Sequence, residues 1–105
     1  MIRALNLADL PNTGTSYTFE GYKHDGVNVS MFVIDFPPGK GPELHRHPYE
    51  ELFVIHEGRA RMSDGETSLE AAAGQIMIVP PDVPHGFASV GDGRLRMVCL
   101  TLMSG

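Results

Sequence analysis

The sequence has one cysteine, no tryptophan and no hydrophobic run long enough to cross a membrane. A single cysteine, Cys99, excludes an internal disulfide, and its apolar surroundings predict a small buried side chain rather than a catalytic thiol. Every apolar stretch falls short of the roughly 18 residues that a transmembrane helix needs. The first residues also lack the continuous apolar core of a signal peptide. We therefore expect a cytoplasmic protein without a membrane partner.

Positive charge is also scarce, with 8 lysine and arginine residues against 13 acidic residues and a formal net charge of −5. Nucleic acid binding needs a basic surface, so we expect no such partner. Arg59, Arg61, Arg94 and Arg96 fall in i, i+2 pairs and are expected to pair with nearby acids on a solvated face, with an anion-binding role as the alternative. The 105 residues fit a single domain, 1–105, whose expected partner is a small organic molecule.

Glycine and proline, by contrast, are abundant and divide the chain into short apolar runs. There are 12 glycines and 8 prolines, and no stretch keeps a helical period long enough to predict a helix. The runs predict nine strands, at 16–22, 27–36, 43–47, 51–58, 59–63, 67–73, 75–79, 85–90 and 94–102. So many short strands in one small domain predict an all-β sandwich or barrel.

Some of these strands are apolar on both faces, as in "LFVI" (52–55) and "IMIV" (76–79). Successive side chains of a strand point to opposite faces of the sheet, so both faces need a cover. Either a second sheet or a second chain provides it. We expect two packed sheets and a homodimer, in which the N-terminal segment 1–22 pairs with the edge of the partner's sheet.

Histidines and carboxylates are concentrated in "ELHRHPYEEL", residues 43–52. Because residues two apart in a strand share a face, His45 and His47 are predicted to point the same way. Pro48 is expected to end that strand, and a short hairpin then brings Glu51 beside His47. Two imidazoles and a carboxylate are nitrogen and oxygen ligands that suit a divalent transition metal.

A further ligand must come from one of the other three histidines. His24 lies in a polar turn and is expected to be solvated. His56 is out of phase with Glu51 and is expected to face the other side of the sheet. His85 follows a proline at the start of a strand, where the backbone is restricted, and is the best candidate. Local pattern alone still leaves a metal site and an ordinary polar surface as open alternatives.

Two segments resemble the sequence motifs of the cupin superfamily, particularly those of small single-domain bacterial cupins. Residues 39–58, "GKGPELHRHPYEELFVIHEG", match every defined position of the first motif. Residues 74–89, "GQIMIVPPDVPHGFAS", resemble the second motif, with Asp82 in place of a glycine and Ser89 in place of an asparagine. Aspartate tolerates turn geometry, and neither departure changes a metal ligand. The motif glycines lie at strand boundaries, where a positive φ is needed.

The resemblance implies a small double-stranded β-helix, a jelly-roll-like barrel of two antiparallel sheets. It implies one divalent transition metal (Fe, Mn, Ni, Co, Cu or Zn) held by His45, His47, Glu51 and His85. It also selects Glu51 over Glu50, which strand phase alone does not. Three neutral imidazoles and one carboxylate leave a divalent ion with a single positive charge, and a six-coordinate ion with two adjacent open positions.

Inward strand residues near the cluster are the candidates for a pocket. We expect Phe53, Ile55, Met77 and Phe87 there, and the alternative for each is an ordinary place in the core. Tyr49, a turn residue, is a further pocket candidate that could donate a hydrogen bond to a ligand at the rim.

A metal-dependent oxygenase acting on a small organic molecule is the function that the two open positions favour. A metal-dependent isomerase or lyase remains an alternative, as does a non-enzymatic protein that binds or senses a small molecule, because one barrel supports many reactions. A third hypothesis is a metal-free binding protein in which Glu51 and the histidines act as acid and base. The presence of a complete set of metal ligands makes it the weakest of the three.

Overall fold

The computed structural model describes residues 2–102, which form eight strands and two short 3₁₀ helices. The strands are β1 (Ser16–Phe19), β2 (Val29–Phe36), β3 (Glu51–Glu57), β4 (Arg59–Ser63), β5 (Ser68–Ala72), β6 (Ile76–Val79), β7 (Gly86–Ser89) and β8 (Leu95–Leu102). They build a five-stranded sheet of order β1-β2-β8-β3-β6 and a three-stranded sheet of order β5-β4-β7. Every strand pair is antiparallel, which confirms the predicted all-β fold of two antiparallel sheets.

The two 3₁₀ helices, Leu7–Asp9 and Gly21–Lys23, are single turns. Within residues 2–102, neither has the length or the apolar character that a bilayer-crossing helix requires.

The hydrophobic core lies between the two sheets and follows the alternation of side chains along each strand. In β3, Phe53 and Ile55 point inward, and in β8, Leu95 and Met97 do the same. Full burial of a side chain of this size contributes about 1.5–3 kcal/mol to stability. The core therefore fixes the inward face of β3, the face that also carries Glu51.

Residues 43–47 do not form the predicted strand. Their strand-like pairing is an isolated bridge between His45 and His85, in which the two backbone N–H groups donate to the opposite carbonyls at 2.9 and 2.7 Å. Pro42 and Pro48 flank the segment and cannot donate to a ladder. The predicted hairpin with β3 is therefore wrong, and the segment lies beside the loop that precedes β7 instead.

The strand nearest the N-terminus, β1, pairs antiparallel with β2 of its own chain, with Phe19 opposite Met31 and Ser16 opposite Ile34. It lies at the edge of the five-stranded sheet, and its outer side forms an isolated bridge with residues 11–13 of the same chain. The N–H of Thr18 donates to the carbonyl of Pro11 at 2.8 Å, and the N–H of Thr13 donates to that of Ser16 at 3.0 Å. Contact of residues 1–22 with a partner's sheet remains a prediction, and Met1 lies outside the described residues.

The connection between β3 and β4 depends on a glycine, which leads to a stability prediction. Gly58 has a φ of 84°, and a Cβ at this position would overlap the backbone carbonyl oxygen of Arg94. Gly74 has a similar φ of 91° but open space around a built Cβ. We expect Gly58→Ala to lower the free energy of unfolding by about 2–4 kcal/mol and Gly74→Ala by about 1 kcal/mol. Urea unfolding measures both, and equal losses would contradict the steric role of Gly58.

Candidate metal centre

Three histidines converge at one end of the space between the sheets. One ring nitrogen from each of His45, His47 and His85 lies within 4.8 Å of the others. The backbone bridge between His45 and His85 holds two of these residues together. The backbone carbonyl of His47 accepts a hydrogen bond from the N–H of Asp82 at 2.7 Å. The His-x-His segment is thus anchored to the loop before β7.

Asp82 in this loop has a φ of 63°, in the left-handed region. Aspartate occupies that region more readily than most residues. Asp82, which replaces the glycine of the motif, therefore preserves the turn that leads to His85.

Glu51, the first residue of β3, directs its carboxylate into the same cluster. Its Oε1 lies 3.1 Å from Nε2 of His85 and 3.5 Å from Nε2 of His47. Two ligands that share an ion about 2.1 Å away lie roughly 3.0–3.4 Å apart in octahedral or tetrahedral geometry. Both separations are close to that range. The structure thus brings together all four residues predicted as ligands, three as a compact group of nitrogens and Glu51 beside them.

Hydrogen bonds to backbone carbonyls determine which ring nitrogen of His45 and of His85 faces the cluster. Nδ1 of His45 lies 2.8 Å from the carbonyl oxygen of Glu43, and Nδ1 of His85 lies 3.0 Å from that of Val83. A carbonyl only accepts, so each Nδ1 donates and each Nε2 of a neutral ring carries a lone pair. The lone pair on Nε2 of His85 then faces the Glu51 carboxylate. Two buried acceptors in contact need a cation between them, either a proton or a metal ion.

The burial of the three histidines increases from the solvent toward the interior: His45 is exposed, His47 is half-buried and His85 is buried. Desolvation lowers the pKa of His47, and the carboxylate of Glu51 partly opposes this shift. A lowered pKa keeps the imidazole neutral near pH 7, which is the form that binds a metal. The donor set and its protonation therefore fit a divalent transition metal.

A cavity of about 240 Å³, which we call the central cavity, adjoins the cluster. It is lined by Ser16, Phe32, Ile34, Phe36, Pro42, His45, His47, Glu51, Phe53, Phe87 and Cys99. Another cavity, bounded by the β4–β5 hairpin, β6 and the loop before β7, reaches His85 from a different side.

Two of the five predicted pocket residues, Phe53 and Phe87, line the central cavity. Ile55 and Met77 do not, and both are packed into the core. The cavity lies over β2, β8 and the start of β3, whereas Ile55 lies further along β3 and Met77 lies on the edge strand β6. Tyr49 stacks on the ring of His47 with centroids 4.9 Å apart and does not line this cavity. None of these three residues lines the central cavity, and their place in a ligand pocket stays a prediction.

Strand β2 contributes a wall of the central cavity that was not predicted from the sequence, namely Phe32, Ile34 and Phe36. Alternation along a strand identifies such a set when one face is polar. In "VSMFVIDF" (29–36) both faces are largely apolar, so the pattern does not show which face turns inward.

Cys99 also lines the central cavity and is buried. Burial raises the pKa of its thiol well above the usual range, and the Glu51 carboxylate adds to the rise. A protonated, buried thiol is a poor nucleophile. We expect a thiol-specific reagent to label the native protein roughly a hundredfold or more slowly than the urea-unfolded protein. Equal labelling rates would contradict the structural role of Cys99.

Comparison with known proteins links this geometry to a family. A family model described as "Cupin domain" matches residues 32–101. The chain is 44% identical over 63 residues to polyketide synthase CurC of Streptomyces cyaneus, which covers 58% of this chain and 40% of that protein. The chain spans between 40% and 62% of the length of the four curated relatives that it matches.

Solved structures show the same fold. A Cupin 2 conserved barrel domain protein from Salinispora arenicola superposes with a TM-score of 0.77 at 19% identity, covering 99% of this chain and 89% of that one. Oxalate decarboxylase of Bacillus subtilis superposes with a TM-score of 0.75 at 25% identity, covering 86% of this chain and 26% of that one. The two antiparallel sheets of this chain thus form the double-stranded β-helix of cupin proteins.

Proposed function

The chain belongs to the cupin family, and we propose that it is a metal-dependent enzyme of the oxygenase type that acts on a small organic molecule. His45, His47, His85 and Glu51 hold one divalent transition metal in this proposal. One observation supports the proposal most strongly: Nε2 of His85 faces the buried carboxylate of Glu51, within a group of three histidine rings and beside a cavity. Such a set of acceptors is stable only around a cation.

The protein's own residues prepare the site in three ways. The carbonyl oxygens of Glu43 and Val83 orient the rings of His45 and His85, as partners of metal-bound histidines commonly do. Glu51 supplies the one negative charge, and four phenylalanines give the central cavity an apolar wall. A bound transition metal supplies Lewis-acid and redox chemistry.

Dioxygen uptake by the Fe(II)- or Mn(II)-loaded protein tests this proposal. With a panel of phenols, diols and thiols, we expect uptake that is coupled to product and is lost in His85→Ala. Binding of panel molecules without uptake or product would instead support a non-enzymatic binding or sensing protein. Full turnover by His85→Ala would contradict the role of the metal site.

A metal-dependent lyase is the second candidate, and an isomerase would use the same site. The likeness to oxalate decarboxylase over 86% of this chain supports the lyase alternative. Release of carbon dioxide from a carboxylic acid without net dioxygen uptake would identify it.

We also propose that the protein is a homodimer in which a second copy covers the outward face of the five-stranded sheet. This outer apolar face comprises Leu52, Ile76, Ile78, Leu100 and Leu102. Register places Leu52 directly between Ile78 and Leu100, and a groove of about 490 Å³ runs across the face. A contiguous apolar surface of this kind is uncommon on monomers.

The distribution of charge favours a second copy as the occupant of this face. Arg96 and Glu57 lie at one end of it and approach each other to 3.9 Å, and Glu50 lines the groove beside Leu52, so the charged side chains flank the apolar residues. Homodimer interfaces have apolar, uncharged centres and bring the same patch of both subunits together about a two-fold axis.

A further inference from the structure

We infer that the molecule bound in the central cavity is a phenol- or catechol-type arene, held as a monoanion, rather than a small dicarboxylate. This inference rests on the proposed metal site and narrows the class of its substrate.

The walls of the central cavity suit a flat aromatic ring. Phe36 and Phe87 stack with centroids 6.0 Å apart, and Phe53 meets Phe87 edge to face at 5.7 Å. Phe32 completes the aromatic wall and is 39% exposed. Offset and edge-to-face contacts with such rings stabilise a bound arene beyond simple burial.

The size of the cavity agrees with a single substituted ring. Its volume is about 240 Å³, and an apolar cavity of about 150 Å³ is enough to hold benzene. One ring with two or three small substituents fits, and the His45, His47 and Glu51 side chains on the same lining give its hydroxyl oxygen a place to bind.

The central cavity offers no cationic side chain to an anion, because no lysine or arginine is among its described lining residues. The guanidinium groups of Arg94 and Arg61 form ion pairs outside the cavity. Arg94 pairs with Asp35 at 2.7 Å, and Arg61 pairs with Glu70 at 3.0 Å. Lys40 lies 5.5 Å from the centroid of the Phe36 ring and donates to Thr15 at 3.1 Å.

The net charge of the metal site distinguishes a phenolate from a dicarboxylate as the ligand. A divalent ion with Glu51 and three neutral imidazoles leaves a single positive charge, which one phenolate oxygen neutralises. A dicarboxylate brings two negative charges and leaves one of them uncompensated against an apolar wall, which is costly. The geometry therefore favours a monoanion with an apolar body.

The test titrates the full-length protein, loaded with Co(II), with catechol and separately with oxalate. Calorimetry measures each affinity, and the visible absorption of Co(II) shows whether the ligand reaches the ion. We expect catechol to change the spectrum and to bind at least about tenfold more tightly than oxalate. Equal or tighter binding of oxalate overturns the inference while leaving the metal site intact. Failure to bind Co(II) at all overturns the proposed function as well, so the two failures are distinguishable.

Variants of Phe32 test the role of the aromatic wall. Phe32→Ala is expected to weaken catechol binding about tenfold without changing the affinity for Co(II). Phe32→Arg, which places a cation at the cavity, is expected to shift the preference toward oxalate. Tyr22→Ala, at an exposed aromatic residue outside the cavity lining, serves as the matched control and is expected to change neither affinity. Unchanged catechol binding in Phe32→Ala would contradict the proposed location of the ring.

Discussion

Replacing His85 with alanine is expected to lower metal affinity by at least about 100-fold and to leave the purified protein with far less than one ion per chain. The loss of an outer partner of a metal ligand already costs about 10- to 100-fold, and His85 is proposed to bind the ion directly. Its Nε2 lies 3.1 Å from Glu51, so the substitution also leaves a buried carboxylate without its nearest partner. Elemental analysis and competitive chelator titration measure the effect.

The matched control is His56→Ala, at an exposed histidine outside the cluster. We expect it to bind metal as the unchanged protein does. Because His85 is buried, circular dichroism and urea unfolding must show that the alanine variant is folded, and His85→Gln offers a less disruptive substitution. Unchanged metal content in a folded His85→Ala protein would contradict the assigned ligand.

The second large effect is expected at the outer apolar face. Ile78→Asp should weaken the proposed dimer by at least about 100-fold, because it places a charge where an apolar side chain would be buried, at a cost of roughly 3 kcal/mol or more. Ile78 is 68% exposed in the single chain, so the substitution costs the isolated subunit little. Light scattering at micromolar concentration is expected to show the mass of a monomer for the variant and of a dimer for the unchanged protein.

Leu69→Asp provides the control for this experiment. Leu69 is 57% exposed on β5, in the three-stranded sheet, and its substitution is expected to leave the dimer intact. A dimer that survives Ile78→Asp would place the interface elsewhere, and a monomeric unchanged protein would remove the homodimer proposal.

The four residues of the cluster could be predicted from the sequence, but the backbone pairing that brings them together could not. Motif spacing identified His45, His47, Glu51 and His85, whereas strand phase placed the first two on a strand that does not form. The backbone bridge that holds His45 joins it to His85, 40 positions along the chain. Local periodicity carries no information about a pairing between two such distant segments.

The lining of the central cavity was predicted less completely for a related reason. Strand phase shows which residues of β3 point inward but not which of them adjoin a cavity. Phe53 adjoins it, whereas Ile55, two positions on, is enclosed by the core. That difference depends on the neighbouring strands β2 and β8. Both faces of these strands are largely apolar in sequence, so strand phase does not show which face points inward.

X-ray absorption spectroscopy of the protein loaded with one equivalent of Co(II) measures directly whether His45, His47 and His85 bind the same ion. We expect a first coordination sphere of nitrogen and oxygen at about 2.0–2.2 Å, with the multiple-scattering pattern of three imidazole rings. A spectrum of a fully hydrated ion, or one that needs fewer than three imidazoles, would contradict the binding of one metal by all three histidines.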